Sequence, residues 1–149
     1  MEKKLPNDFR EFLKLLNEHK VKYLLIGGYA VGYHGYPRAT NDIDIWVENS
    51  EDNANKLVKT VKAFGFNEPE LSSELFKIKK NIIRMGRTPM RIEIILDIDG
   101  VEFTKCYEKK IIADIDGIRV NIIKLSDLKT NKKASGRNKD LADLDYLPK

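Results

Sequence analysis

Two aspartates one residue apart, Asp42 and Asp44, stand in a run that alternates acid with aliphatic: Asp42-Ile43-Asp44-Ile45, then Trp46 and Val47. A period of two is that of a strand, on which both carboxylates share one face while Ile43 and Ile45 share the other. Two carboxylates that close repel unless something positive lies between them. A divalent cation resolves the repulsion, and Mg2+ binds one or two carboxylates together with substrate phosphates. A strand with a solvent-facing acidic edge would show the same pattern, so the pair alone does not specify chemistry. Gly27-Gly28 closes an apolar run about a dozen residues upstream. Glycines there let the backbone approach a ligand closely, and the start of a following helix offers free N–H groups to a phosphate. This is not a Walker A loop, because no Lys-Ser or Lys-Thr follows, and no G-x-G-x-x-G is present. Glu93, flanked by Ile92 and Ile94, offers a third carboxylate from another strand-like run, and Asp97 competes for that role. Three such acids could hold two cations, one activating a hydroxyl and the other holding a triphosphate and its leaving group.

The elements that must position these groups follow from periodicity and punctuation. Residues 7–19 predict an amphipathic helix with Phe9, Phe12, Leu13, Leu15 and Leu16 on one face. Residues 22–26 predict a buried strand stopped at Gly27-Gly28, and 29–34 a short helix closed by Gly35 and Pro37. Residues 42–47 carry the acidic strand, and 53–64 a helix stopped near Gly65. Strands are expected at 75–78, 82–85 and 91–96, and a short helix at 103–108. Residues 111–113 and 118–123 resemble a hairpin about Asp116-Gly117. Two helices, 125–133 and 139–147, joined at Gly136, end the chain. The alternation describes an α+β (mixed α/β) domain: a mixed sheet flanked by helices, with C-terminal helices, as a single domain over residues 1–149.

Bulk properties narrow the setting. A chain of 149 residues with 42% hydrophobic and 34% charged residues suits one solvated globular core. No apolar run approaches the roughly 20 residues that span a bilayer, so no membrane partner is expected. No apolar leader is evident at the N-terminus, and a lone Cys106 suits a reducing compartment, so a cytoplasmic location is expected. The net charge of +4 is mild, but six basic residues gather between Lys124 and Lys139 against one acid, Asp127. Such a cluster suits a nucleotide or RNA, or simply a solvated lysine-rich face.

Order and spacing together carry a resemblance. The stretch Gly27-Gly28-Tyr29-Ala30-Val31-Gly32-Tyr33-His34-Gly35-Tyr36-Pro37-Arg38-Ala39-Thr40-Asn41-Asp42-Ile43-Asp44 resembles the nucleotidyltransferase superfamily with the DNA polymerase β-like fold. It is similar in particular to the small prokaryotic branch of minimal nucleotidyltransferases and AbiEii-type toxins. Near the other end, Lys132-Lys133-Ala134-Ser135-Gly136-Arg137-Asn138-Lys139-Asp140-Leu141-Ala142-Asp143-Leu144 resembles the closing signature of that branch: a lysine, a Gly-Arg pair, then Asp-Leu-x-Asp-Leu.

The resemblance implies Asp42, Asp44 and Glu93 as catalytic residues and ligands of Mg2+ or Mn2+, with Gly27 and Gly28 cradling the NTP triphosphate. Arg38 and Thr40 precede the acidic pair where they could reach a phosphate, and Lys132 and Arg137 could neutralise nucleotide charge or grip a polynucleotide. Asp140 and Asp143 share a helix face and are expected to hold Lys132 or Arg137 in place. His34 is read as a helix-end support rather than a base, and Trp46, Tyr29, Tyr33 and Tyr36 as packing. Two departures stand out: many members have Gly-Ser where this chain has Gly27-Gly28, and the third acid is often Asp. The implied activity is transfer of a nucleoside monophosphate to a hydroxyl on RNA, protein or a small molecule. A toxin–antitoxin role, with an antitoxin-like partner or a homo-oligomer, is implied next. The alternative is an inactive nucleotide- or RNA-binding module that retains the fold.

Overall fold

The computed structural model describes residues 5–37, 40–67, 71–86 and 90–149. Six strands form one mixed sheet: β1 (Tyr23–Ile26), β2 (Asp42–Val47), β3 (Ile82–Met85), β4 (Arg91–Ile95), β5 (Ile111–Ile115) and β6 (Ile118–Ile122). Their order across the sheet is β3-β4-β2-β1-β6-β5. β2 runs parallel to β4 and β1 parallel to β6, while the other three neighbouring pairs are antiparallel. Among the described residues six α-helices accompany it: α1 (Asn7–Glu18), α2 (Gly27–Tyr33), α3 (Glu51–Phe64), α4 (Phe103–Glu108), α5 (Leu125–Ser135) and α6 (Asn138–Tyr146). The expected mixed sheet with flanking and C-terminal helices is therefore what the chain adopts.

Burial follows the two periods that the sequence carries. Phe9, Phe12, Leu13 and Leu16 of α1 are all buried, and Phe12 meets Phe64 of α3 edge to face at 5.2 Å. On β2, Ile43 and Ile45 are fully inside, whereas Asp42 and Asp44 are only partly covered. Trp46 shares their face by period two and packs edge-on against Phe103 of α4 at 5.1 Å. The acid-bearing face of the sheet is thus apolar at one end, under α4, and polar at the other.

One sequence expectation fails. Residues 75–78 were expected to form a strand, but Ser73–Phe76 forms a 3-10 turn instead. Only Phe76 of that apolar run is buried, and Ile78 is 55% exposed, so no alternating face exists to dock on a sheet. Lys77 instead bridges Glu74 and Glu51, tying the turn to the start of α3. Smaller differences concern boundaries: α2 begins at Gly27 itself, and α3 starts at Glu51 behind a Ser50 cap that accepts from the Asn53 N–H.

Asn53 fixes the acidic strand from behind. It is 2% exposed, and its side chain accepts from the Lys22 N–H at 2.8 Å. Its amide donates to the carbonyls of Lys22 at 3.1 Å and Glu48 at 2.9 Å. These bonds join the entry to β1, the exit of β2 and the first turn of α3. Asn53→Ala takes this partner from three part-buried backbone groups, so a loss of roughly 1–3 kcal/mol is expected in urea unfolding. A loss under about 0.5 kcal/mol, as at ordinary surface sites, would contradict the role of this clip.

Candidate active site

The parallel pairing of β2 with β4 brings the carboxylates together. Asp44 lies directly beside Glu93, and Asp42 beside Arg91. All three acids therefore sit on one face of two adjacent strands. Asp97, the competing third acid, falls past the end of β4 and lines the cleft without a register partner on β2. The cleft above these strands encloses about 590 Å³. Gly27, Gly28, Thr40 and the three acids form one wall, and Lys132, Ser135, Arg137, Lys139 and Asp140 of the α5–α6 corner form another. Gly136, at φ +66°, makes the left-handed turn that folds α6 back and creates this corner.

Gly27 stands at φ +68°, a conformation that disfavours any side chain. A Cβ placed on it would collide with Oδ2 of Asp44. The strand end and the carboxylate thus interlock, so that bare backbone adjoins the acid. Gly27→Ala is expected to cost 2 kcal/mol or more from backbone strain and collision together. Urea unfolding of the variant beside its parent measures this loss. At Gly28, a Cβ would lie 3.2 Å from that of Thr40. The place where many resembling proteins carry a serine is here crowded by a threonine, whose hydroxyl exchanges hydrogen bonds with the Asp42 backbone at 3.2 Å.

Charge in the cleft is unbalanced around Asp44. Its burial pushes the carboxyl up to about 7, assisted by a hydrogen bond with Glu93 and by the negative charges of Glu93 and Asp42. Lys139 works in the opposite direction from across the cleft. Glu93 is held by Arg84, Nε to Oε1 at 3.0 Å, and Asp42 lies 3.6 Å from Nε of Arg91. As the side chains stand, no three His, Cys, Asp or Glu residues among those described are grouped to hold a metal ion. The donor set nevertheless fits a hard divalent cation: the Asp44 carboxyl, raised by its negative neighbours, adjoins that of Glu93 in the same cleft.

The other sequence candidates divide. Lys132 lines the cleft but is 4% exposed, its ammonium bound by Asp140 at 3.0 Å and Asp143 at 2.9 Å. Arg137 donates from Nε to Asp140 at 2.8 Å while its side chain stays 78% exposed. Asp140 and Asp143 thus hold the basic corner as expected. The ring Nε2 of His34 lies 2.7 Å from the Ile123 carbonyl, joining the end of α2 to the exit of β6. Arg38 lies outside the described residues. Arg84 and Lys139 were not singled out from sequence. The register Arg84↔Glu93 is what places Arg84, and only pairing of β3 with β4 reveals it.

No protein-family model matches the sequence, and no curated protein matches it. Solved structures do. A protein from Thermotoga maritima described as a candidate nucleotidyltransferase superposes with a TM-score of 0.62 at 19% identity, over 92% of this chain and 88% of its own. An antigenic nucleotidyltransferase-like protein from Paracoccidioides brasiliensis superposes with a TM-score of 0.53 at 13% identity, over 93% of this chain and 72% of its own. At these identities the likeness speaks for architecture: the chain has the fold of nucleotidyltransferase-like proteins.

Proposed function

We propose that this chain moves a nucleoside monophosphate from an NTP to a hydroxyl acceptor and releases pyrophosphate. The observation that supports it best is the placement of Asp44 beside Glu93 and against bare Gly27, facing the basic corner across one cleft. In the reaction the acceptor oxygen bonds to the α-phosphorus as the bond to the bridging oxygen breaks. Gly27 and Gly28 let phosphates approach the backbone, and the cations of Arg137 and Lys139 offset the triphosphate charge. Mg2+ or Mn2+, held by Asp44, Glu93 and a turned Asp42, would polarise the phosphates and lower the pKa of the acceptor hydroxyl. The motifs near residues 27–44 and 132–144 support a minimal nucleotidyltransferase of the AbiEii-like type. A toxin–antitoxin role with a partner protein is compatible with that chemistry.

Incubation with Mg2+, labelled NTPs and total cellular RNA and protein tests the reading. Label incorporation lost in Asp44→Asn is the expected result; saturable NTP binding with no transfer to any acceptor would refute turnover. That outcome would favour the second reading, a nucleotide-binding module. The pairing of Asp42 with Arg91 and of Glu93 with Arg84 supports it, since both acids already have protein partners.

A further inference from the structure

Arg84 and Glu93 stand directly opposite each other on the antiparallel pair β3–β4, with Nε of the arginine 3.0 Å from Oε1 of the glutamate. A cross-strand ion pair is ordinary in itself. This one differs in where it sits and in what surrounds its acid. Both residues line the cleft, and Asp44 lies level with Glu93 on β2. Glu93 therefore adjoins a second acid on one side and a guanidinium on the other. Its side chain is 17% exposed and that of Arg84 55%, so the acid is fixed by its surroundings while its cation is not. β3 is the edge of the sheet, which leaves Arg84 a strand neighbour on one side only. A guanidinium carries several N–H donors in a rigid fork. Among the described residues, Glu93 is the one group to which Arg84 is joined.

Other cations of the cleft are committed differently. Lys132 is enclosed by Asp140 and Asp143, and Arg137 is bonded to Asp140, so these pairs brace the α5–α6 corner. Arg84 is instead bonded to a carboxylate that the transfer reading needs for Mg2+ or Mn2+. A divalent cation and a guanidinium repel when they share one carboxylate, so each weakens the other's hold on Glu93. A triphosphate changes that balance. It brings negative charge and paired oxygens that match the guanidinium fork. Arg84 lines the same cleft as Gly27 and Gly28, where the backbone leaves room for phosphates. The arginine thus has two alternative partners in one cleft, one supplied by the protein and the other by the nucleotide.

We propose that Arg84 is an exchangeable counter-ion: it holds Glu93 until a nucleoside triphosphate binds, then passes to the phosphates and yields the carboxylate to the divalent cation. This rests on the transfer reading above and adds an order of loading, in which nucleotide and metal enter together. Two binding measurements that need no turnover test it: Mn2+ alone by electron paramagnetic resonance, and ATP in EDTA by titration calorimetry. Arg84→Gln is expected to bind Mn2+ alone about fivefold more tightly than the unmodified protein, and ATP in EDTA about fivefold more weakly. Arg84→Lys keeps the charge and should hold its Mn2+ affinity within about twofold of the unmodified protein. Adding Glu93→Gln to Arg84→Gln should abolish the gain in Mn2+ affinity. A residue that merely braced the edge strand would move both affinities in one direction or neither. Changes of one sign, or a gain in Mn2+ affinity that survives Glu93→Gln, would overturn the proposal. So would an unmodified protein that binds no ATP in EDTA. If Mn2+ and ATP bind the unmodified protein and Arg84→Gln alike, the role of Arg84 falls and nucleotidyl transfer stands. If the unmodified protein binds no Mn2+ with or without ATP and transfers no label, the transfer reading falls, and this proposal with it.

Discussion

Replacing Lys132 with methionine is expected to lower stability by about 3–5 kcal/mol at neutral pH, a large fraction of what holds a domain of this size together. Methionine keeps the length of the side chain and its apolar stem, but removes the charge from between Asp140 and Asp143. Those residues are 7% and 2% exposed, so their carboxylates would be left buried without the ammonium that binds them. Burial by itself would push Asp140 up. The Ser135 hydroxyl at 2.6 Å, Lys132 and Arg137 more than reverse this and hold its carboxyl at about 2. A carboxyl depressed below its ordinary 3.8 contributes stability that is complete above that value and disappears as pH falls through about 2. The deficit of the variant should therefore be greatest at neutral pH and shrink in acid, where the carboxylates deprived of the ammonium can protonate. Urea unfolding at pH 7 and pH 3 measures both. Asp140→Asn and Asp143→Asn, added together to Lys132→Met, should recover part of the loss. A loss below about 1 kcal/mol in the single variant would show that the corner is not held in this way.

Asp44→Asn is expected to abolish transfer, by a factor on the order of 10² to 10³ at the least, and at the same time to stabilise the folded chain. Both effects have one origin. Burial and the neighbouring charges of Glu93 and Asp42 raise the Asp44 carboxyl from 3.8 to about 7, so the folded state holds its proton where the unfolded state has lost it. Stability therefore falls as pH rises from about 4 towards 7 and levels off above. At pH 8 the variant should be more stable by roughly 2–4 kcal/mol, and near pH 4 by little. Mg2+ should raise the melting temperature of the unmodified protein and that of the variant much less, because the variant keeps only Glu93 and Asp42, each already beside an arginine. Thermal melts at the two pH values, with and without Mg2+, give the comparison. A variant less stable than its parent at pH 8 would show that Asp44 is not under electrostatic strain.

The two periods in the sequence located most of the fold because burial here is one-sided. The alternation in 42–47 and the three-to-four spacing in 7–19 each bury one face, and those elements formed where the patterns put them. The run at 75–78 misled for the converse reason: with only Phe76 inside, its apolar residues carried no face to dock on a sheet. Spacing likewise indicated that Asp42 and Asp44 point the same way and that Asp140 and Asp143 share a face able to hold Lys132 or Arg137. No local pattern could say that β4 lies parallel to β2 with Glu93 level with Asp44, since strand pairing is a long-range choice made by the whole core.

The residues able to do chemistry, their order and the faces they occupy were properties of the sequence alone, because side-chain direction in a strand or helix is a local matter. Which acid joins Asp44, that Arg84 arrives with it, that Lys132 is buried as a brace while Arg137, paired with Asp140, stays largely exposed at the mouth, and that Tyr146 stacks on Tyr36 were decided only by the tertiary structure. Each of these depends on register and on helices closing over the sheet, where groups distant in the chain compete for the same space and charge.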